Sequence, residues 1–185
     1  LRWIEADYPH IVELKSRELQ NERPRCRLER VAVDLADPAA RDRVLDQAAH
    51  GARQVAVLTE GVIPYLTNAQ AEALARGLRA RQPIRHWILE YQAPQVVRYL
   101  LSDRRKKEMG GAPFQFDPGD WFAFFARTGW VKKEVRYLGE TSRELGRHSP
   151  FPWWVHVLHC ITPGPRRRAL DRFSGYALME PGPQA

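Results

Sequence analysis

Cysteine and methionine are scarce, two of each in 185 residues. Cys26 and Cys160 are far apart and neither sits in a CxxC pair, so neither a disulfide framework nor a zinc knuckle is indicated, and a reducing cytoplasm is the expected compartment. No stretch approaches the ~20 apolar residues that a membrane span requires, and the opening Leu1-Arg2-Trp3-Ile4-Glu5 lacks the basic-then-apolar order of a signal peptide. Internal repeats and low-complexity tracts are absent, which excludes solenoids and collagen-like chains. Lysine is rare as well: only Lys15, Lys106, Lys107, Lys132 and Lys133. The net charge of +7 therefore comes from arginines scattered among Asp and Glu, the pattern of a solvated surface rather than of a nucleic-acid footprint.

What is present is an ordinary globular composition, 44% hydrophobic and 28% charged, on a chain long enough for one core. Arg2–Asp7 reads as a short strand ending in an acid. Tyr8-Pro9 breaks it ahead of a helix carrying Ile11, Val12, Leu14 and Leu19. Leu28–Leu35 reads as a second strand, after which Asp37-Pro38 opens a helix to about His50, with Asp37 as cap and proline in the first turn. Gln54–Gly61 is nearly all apolar, as expected of a strand covered by helices on both faces. Thr67 caps the next helix, and Ile84–Tyr91 is a fourth strand. Alternation of strand and helix at this spacing predicts parallel strands, because parallel neighbours need a crossover. The carboxyl ends of such strands form the ligand edge, and here they carry Asp7, Asp34, Glu60 and Glu90.

The second half is less regular. Residues 98–116, with Arg104-Arg105-Lys106-Lys107 and Gly110-Gly111, read as a loop or frayed helix. Asp117-Pro118 marks another helix start, with Trp121, Phe122, Phe124 and Phe125 facing the sheet and Gly129 ending it. Val131–Leu138 alternates as a strand, and Phe173–Glu180 reads as its antiparallel partner. Between them, Phe151–Leu158 is apolar enough for a lid or substrate wall. His156, His159 and Cys160 lack a fourth ligand and read as packing rather than a metal site. Arg166-Arg167-Arg168 and the basic run at 104–107 read as solvated loops.

Three segments together carry a family resemblance. Trp3-Ile4-Glu5-Ala6-Asp7-Tyr8-Pro9 with Lys15, then Val33-Asp34-Leu35, then Thr59-Glu60-Gly61-Val62-Ile63-Pro64-Tyr65-Leu66 resemble, in order and spacing, the leucine carboxyl methyltransferase family and its bacterial, polyketide-type O-methyltransferase branch. Gly129-Trp130 through Gly139 and Gly175–Leu178 are similar to that bacterial branch too. The resemblance implies an α/β fold with a Rossmann-like class I methyltransferase sheet, mostly parallel with an antiparallel C-terminal strand. It forms a single domain over residues 1–185, with 98–116 and 140–172 as loop or lid inserts. The implied activity is S-adenosylmethionine-dependent O-methyl transfer to a carboxylate or hydroxyl of a small molecule. The implied partner is that methyl acceptor, with no nucleic acid and no membrane.

For the cofactor S-adenosyl-L-methionine, an acid at the end of a strand suits the ribose hydroxyls, and Asp7 has that position. By the family's pattern, Asp34 would meet the adenine amino group, Leu35 would flank the ring, and Glu60 would lie near the methionyl end. Tyr65 reads either as an amphipathic wall residue at a helix start or as lining for the acceptor pocket, and Trp153 and Trp154 as substrate-pocket residues. An ionised carboxylate acceptor needs no strong base, and no catalytic residue is singled out.

The family's glycine-rich turn should precede the ribose acid by roughly 20 residues. Asp7 leaves no room for it, and the chain has no initiator Met. The expectation is a sheet lacking its first strand, so that Arg2–Asp7 and Gln54–Gly61 are separated, in either a truncated or a degenerate methyltransferase that needs another segment to complete it. The alternative function is a non-catalytic Rossmann-like remnant serving as a binding or assembly subunit.

Overall fold

Prolines and polar caps decide where the helices begin. The computed structural model describes residues 1–109, 113–147 and 161–183. Strand β1 (Arg2–Asp7) is followed by α1 (Pro9–Glu18), β2 (Arg27–Ala32) and α2 (Pro38–Ala49). Asp37 caps α2 by accepting from the Ala39 N–H at 2.9 Å, and Pro38 fits the first turn because an N–H there would have no helical partner. Strand β3 (Val55–Thr59) leads through a short 3-10 turn (Ile63–Tyr65) to α3 (Asn68–Arg79). Thr67 and Gln70 form a reciprocal capping box at the start of α3.

Strand β4 (Ile84–Gln92) runs into two short helices, α4 (Pro94–Leu100) and α5 (Asp103–Met109). Part of the stretch expected to be loop or frayed helix is thus helical: Pro94 starts α4, and Val97 anchors it in the core. Then come α6 (Trp121–Ala126), β5 (Trp130–Tyr137), α7 (Leu138–Glu144), α8 (Gly164–Asp171) and β6 (Ser174–Pro181). The cap of α6 is Asp120, accepting from the Ala123 N–H at 2.9 Å, and not Asp117. Asp117 is otherwise engaged, because its N–H and C=O are both taken by the Asn68 side chain, at 3.0 and 2.7 Å, which keeps this segment extended along the start of α3.

The strands make an α/β structure of mixed pairing. Strands β1 and β2 form a parallel pair, and the remaining described strands form a sheet in the order β3-β4-β6-β5. Within it β3 and β4 are parallel, while β6 lies antiparallel between β4 and β5. The separation expected between Arg2–Asp7 and Gln54–Gly61 is present: β1 and β3 share no ladder. This corrects the expectation that β3 is covered on both faces. Ala56 and Leu58, alternate residues that share one face of β3, are exposed, Leu58 to 46%, so that face is left uncovered among the described residues. The two strand groups are joined through helices instead. Arg81 of the α3 end donates to Asp46 Oδ1 of α2 at 2.8 Å, Gly77 of α3 lies close to Leu45 of α2, and Arg2 of β1 donates to the Gln47 carbonyl of α2 at 3.1 Å.

The core belongs to the four-stranded sheet and its helices. Helix α3 turns Ala71, Leu74, Ala75 and Leu78 inward, at helical spacing, onto β4 and β5 residues Ile84, Trp87, Leu89 and Trp130. Full burial of each Leu or Ile is worth about 1.5–3 kcal/mol. From the other end α6 contributes Trp121, Phe124 and Phe125, with Phe125 edge-on to Trp87 at 5.0 Å and Trp87 edge-on to Trp130 at 5.5 Å. The buried indoles keep their hydrogen bonds: Trp87 Nε1 donates to Thr59 Oγ1 at 3.1 Å and Trp130 Nε1 to the Ala75 carbonyl at 2.9 Å.

Candidate functional site

All four acids noted at strand ends lie at the carboxyl ends of β1 to β4, the edge where parallel α/β sheets hold ligands. They fall into two clusters. The first stands on the β1–β2 pair. Asp7 ends β1; its Oδ1 accepts from the Tyr8 N–H at 2.9 Å and its Oδ2 meets Lys15 Nζ of α1 at 3.2 Å. Lys15 is thus brought to Asp7 by one and a half turns of α1. Asp34 follows β2 on an exposed turn, where its Oδ1 accepts from the Ala36 N–H at 2.8 Å and its carboxylate also faces the Tyr8 hydroxyl. Leu35 beside it is half-buried. Tyr8 lies between the acids: burial first, then the negative charges of Asp34 and Asp7, push its phenol pKa up.

The second cluster stands on the four-stranded sheet. Glu60 follows β3 and is exposed, and its Oε1 accepts from the Tyr176 hydroxyl of β6 at 2.5 Å. Glu90, near the end of β4, is paired across the antiparallel ladder with Tyr176. Its carboxylate turns into the loop after β3: Oε2 accepts from the Gly61 N–H at 2.5 Å, and Oε1 from Val62 and Ile63 at 3.2 and 3.1 Å. Gly61 adopts φ +64°, a conformation that costs other residues steric strain, so the chain can turn its N–H groups toward Glu90. Burial pushes the Glu90 carboxyl up; the three N–H bonds pull it partly back, and Glu60 adds a smaller upward push. The Tyr176 phenol is pushed up to about 12, first by its bond to Glu60.

Of the residues singled out from the sequence, Asp7, Asp34 and Leu35 share one strand pair and Glu60 stands on the other sheet. Tyr65 lies farther along the loop, half-buried, with its ring stacked on Phe114 at 4.9 Å. Its carbonyl accepts from Gln115 Nε2 at 2.9 Å, so residues 114–117 strap the loop in place. Trp153, Trp154, His156, His159 and Cys160 lie outside the described residues. Among the described residues no group of three His, Cys, Asp or Glu could hold a metal. The runs at 104–107 and 166–168 lie on α5 and α8, and Arg104 and Arg105 are paired with Glu108 at 3.0 and 2.6 Å. Tyr176 and the backbone role of Glu90 escaped the sequence reading. The signal that could have found them is register, since an antiparallel β4–β6 pairing sets Tyr176 opposite Glu90.

The donor set fits most of an adenosyl-sulfonium ligand. Asp7 and Asp34 offer acceptors for hydroxyl and amino groups, and Glu60 offers a negative charge suited to a cation. These acids have nothing for a ligand carboxylate, whose donors would come from elsewhere.

The fold is of the Rossmann-like α/β type. Superposition on solved structures supports the fold. An O-methyltransferase of neocarzinostatin biosynthesis, NcsB1, solved with S-adenosylmethionine and 2-hydroxy-5-methyl naphthoic acid, superposes with a TM-score of 0.55 at 9% identity over 98% of this chain and 42% of that one. The mitomycin 7-O-methyltransferase MmcR gives 0.55 at 8% identity over 98% and 42%. Magnesium protoporphyrin IX methyltransferase from Synechocystis PCC 6803, with bound S-adenosylhomocysteine, gives 0.51 at 12% over 97% and 64%. The chain thus spans 42% to 64% of the length of these proteins.

A family model also matches part of the sequence. Residues 1–79 match the family model described as leucine carboxyl methyltransferase, and this segment holds all three of the motifs that carried the resemblance, from Trp3 to Leu66. No curated protein matches the sequence significantly.

Proposed function

We propose that this chain is the adenosyl-binding part of an S-adenosylmethionine-dependent O-methyltransferase acting on a carboxylate or hydroxyl of a small molecule. The observation that carries the reading is the set of acids Asp7, Asp34 and Glu60 at the carboxyl ends of three consecutive strands, within a segment matching a methyltransferase family. Asp7, steadied by Lys15 and the Tyr8 N–H, holds the ribose hydroxyls; Asp34 and Leu35 receive the adenine; Glu60, steadied by Tyr176, faces the ligand's ammonium.

When bound, the cofactor supplies a methyl group on a positively charged sulfur. The protein's own contribution is orientation: each acid fixes one end of the ligand, so that an acceptor oxygen can line up behind the methyl. A carboxylate acceptor is ionised at neutral pH and needs no proton removed. NcsB1 is named as an O-methyltransferase and was solved with a naphthoic acid, which makes a small aromatic acid a reasonable first acceptor to assay. The polyketide-type branch and a small-molecule acceptor are parts of this reading. Among the described residues, no helix is long and apolar enough to cross a membrane.

The test is calorimetric titration of S-adenosylhomocysteine into this chain and into the complete product of its gene. Binding is expected, and Asp7→Ala and Glu60→Ala should each weaken it on the order of 10-fold or more, the worth of a hydrogen bond to a charged group, while leaving the melting temperature nearly unchanged. Absence of binding in both proteins would overturn the reading and leave a non-catalytic scaffold as the better account.

A further inference from the structure

Three consecutive backbone N–H groups converging on one point form a concavity that receives an anion. In this protein Gly61, Val62 and Ile63 make that concavity immediately after Glu60, and the anion is internal: the Glu90 carboxylate fills it at 2.5, 3.2 and 3.1 Å. Glu90 is therefore committed to the backbone, unlike Asp34 and Glu60, each with carboxylate oxygen facing solvent. Of the four strand-end acids it is the one whose removal would release the loop.

We infer that Glu90 is the positioning residue for Glu60: by filling the concavity of Gly61–Ile63 it sets the backbone from which Glu60 projects, and Tyr176 then fixes the Glu60 carboxylate from the neighbouring strand. The inference rests on the proposed adenosyl site for its functional half, since Glu60 is the group being positioned. Three features of the geometry support it. Glu60 and Gly61 are covalent neighbours, so a shift of the Gly61 N–H is a shift of the Glu60 carbonyl and Cα. The φ of +64° at Gly61 holds its N–H toward β4. Glu90 and Tyr176 face each other in one ladder, so both supports of Glu60 are anchored in the same pair of strands, β4 and β6. A filled concavity also leaves no exposed N–H set to attract an anion there, and the surface offered to a ligand is the negative charge of Glu60. That sign suits an ammonium or sulfonium.

The experiment compares the full chain with its Glu90→Gln, Glu90→Asp and Glu60→Gln variants and the double variant of Glu60→Gln with Glu90→Gln. Glutamine keeps the shape but turns an NH2 toward one of the backbone N–H groups; aspartate keeps the charge and withdraws it by one methylene, and it serves if the glutamine variant folds poorly. Without ligand, amide exchange at Gly61, Val62 and Ile63 should quicken on the order of 10-fold in Glu90→Gln, with Trp87–Leu89 unchanged. With S-adenosylhomocysteine, Glu90→Gln should weaken binding in the parent chain but cost nothing further once Glu60 is already Gln, because Glu90 acts through Glu60.

Unchanged exchange in Glu90→Gln, or an equal loss of affinity in both backgrounds, would overturn the positioning role. Failure of the parent chain to bind S-adenosylhomocysteine would overturn the site reading and the functional half with it; the exchange result would then show separately whether Glu90 organises the loop.

Discussion

Replacing Thr59 with valine should show how the last residue of β3 is tied to the core. Thr59 is 4% exposed, and among the described residues its Oγ1 is the partner of the Trp87 indole N–H, at 3.1 Å, with Trp87 fully buried. Valine has nearly the same volume, so packing changes little and the perturbation is the loss of one acceptor. A buried donor left without a partner costs about 1–3 kcal/mol, a large share of the ~5–15 kcal/mol that holds a domain of this kind together. In a Trp87→Phe background no N–H is left to strand, so the same Thr59→Val change should cost no more than about 0.5 kcal/mol, giving a coupling of roughly 1 kcal/mol or more. The assay is urea unfolding of the four proteins followed by far-UV circular dichroism, because tryptophan fluorescence would itself change with Trp87. The slope with urea should be common to all four. If Thr59→Val costs the same in both backgrounds, the hydrogen bond contributes nothing and the reasoning fails.

Gly175→Ala should be severe, since an added Cβ would lie 2.3 Å from the Arg136 carbonyl oxygen and 2.9 Å from Tyr137 Cα. The β5–β6 ladder would have to part, and a loss of about 3 kcal/mol or more by thermal or urea unfolding is expected, whereas a loss under ~1 kcal/mol would show that the strands can shift freely. Tyrosine absorbance titrated with alkali should contain one group ionising near pH 12, absent in Tyr176→Phe. The raised pKa means that the stabilisation tied to the Tyr176 proton is complete below the ordinary value of 10.0 and is lost as pH rises toward 12. Glu90 is also raised in the folded protein, so the folded state holds its proton more firmly than the unfolded chain. Its contribution to stability is therefore fullest below 4.5 and declines as pH rises through its folded value; this component of the pH dependence should vanish in Glu90→Gln, and its persistence would contradict the burial of that carboxyl.

The sequence shows the fold wherever a local rule decides the outcome. Asp37-Pro38 and Thr67 mark helix starts through side-chain bonds that span two or three residues, and those starts fall as expected. Asp7, Asp34, Glu60 and Glu90 are visible because an acid ending an apolar run is a local pattern. The N-terminus of α6 was misplaced because both backbone groups of Asp117 are claimed by Asn68, 49 residues away, and nothing local announces that bond. The exposed side of β3 was missed for a similar reason, since its apolar sequence does not say which of its faces other elements cover. Within the candidate site, the bond from Tyr176 to Glu60 joins residues 116 apart, and the partners of Glu90 are backbone N–H groups, which have no residue type. Both follow from the β3-β4-β6 order, not from motif.

The division between β1–β2 and the four-stranded sheet also has a dynamic consequence. A two-stranded ladder is marginal by itself, and this one is bound to the rest through α2 against α3 and the Arg2 contact rather than through continuous strand pairing. It should open at a lower free energy than the sheet built around Trp87 and Trp130, exchanging the amides of Trp3–Ala6 while those of Trp87–Leu89 stay closed. Asp7 and Asp34 ride on the softer unit and Glu60 on the stiffer one. A ligand that touches both would quiet the motion of one against the other, so its largest effect on exchange would fall on β1 and β2, and part of its affinity would be spent ordering them.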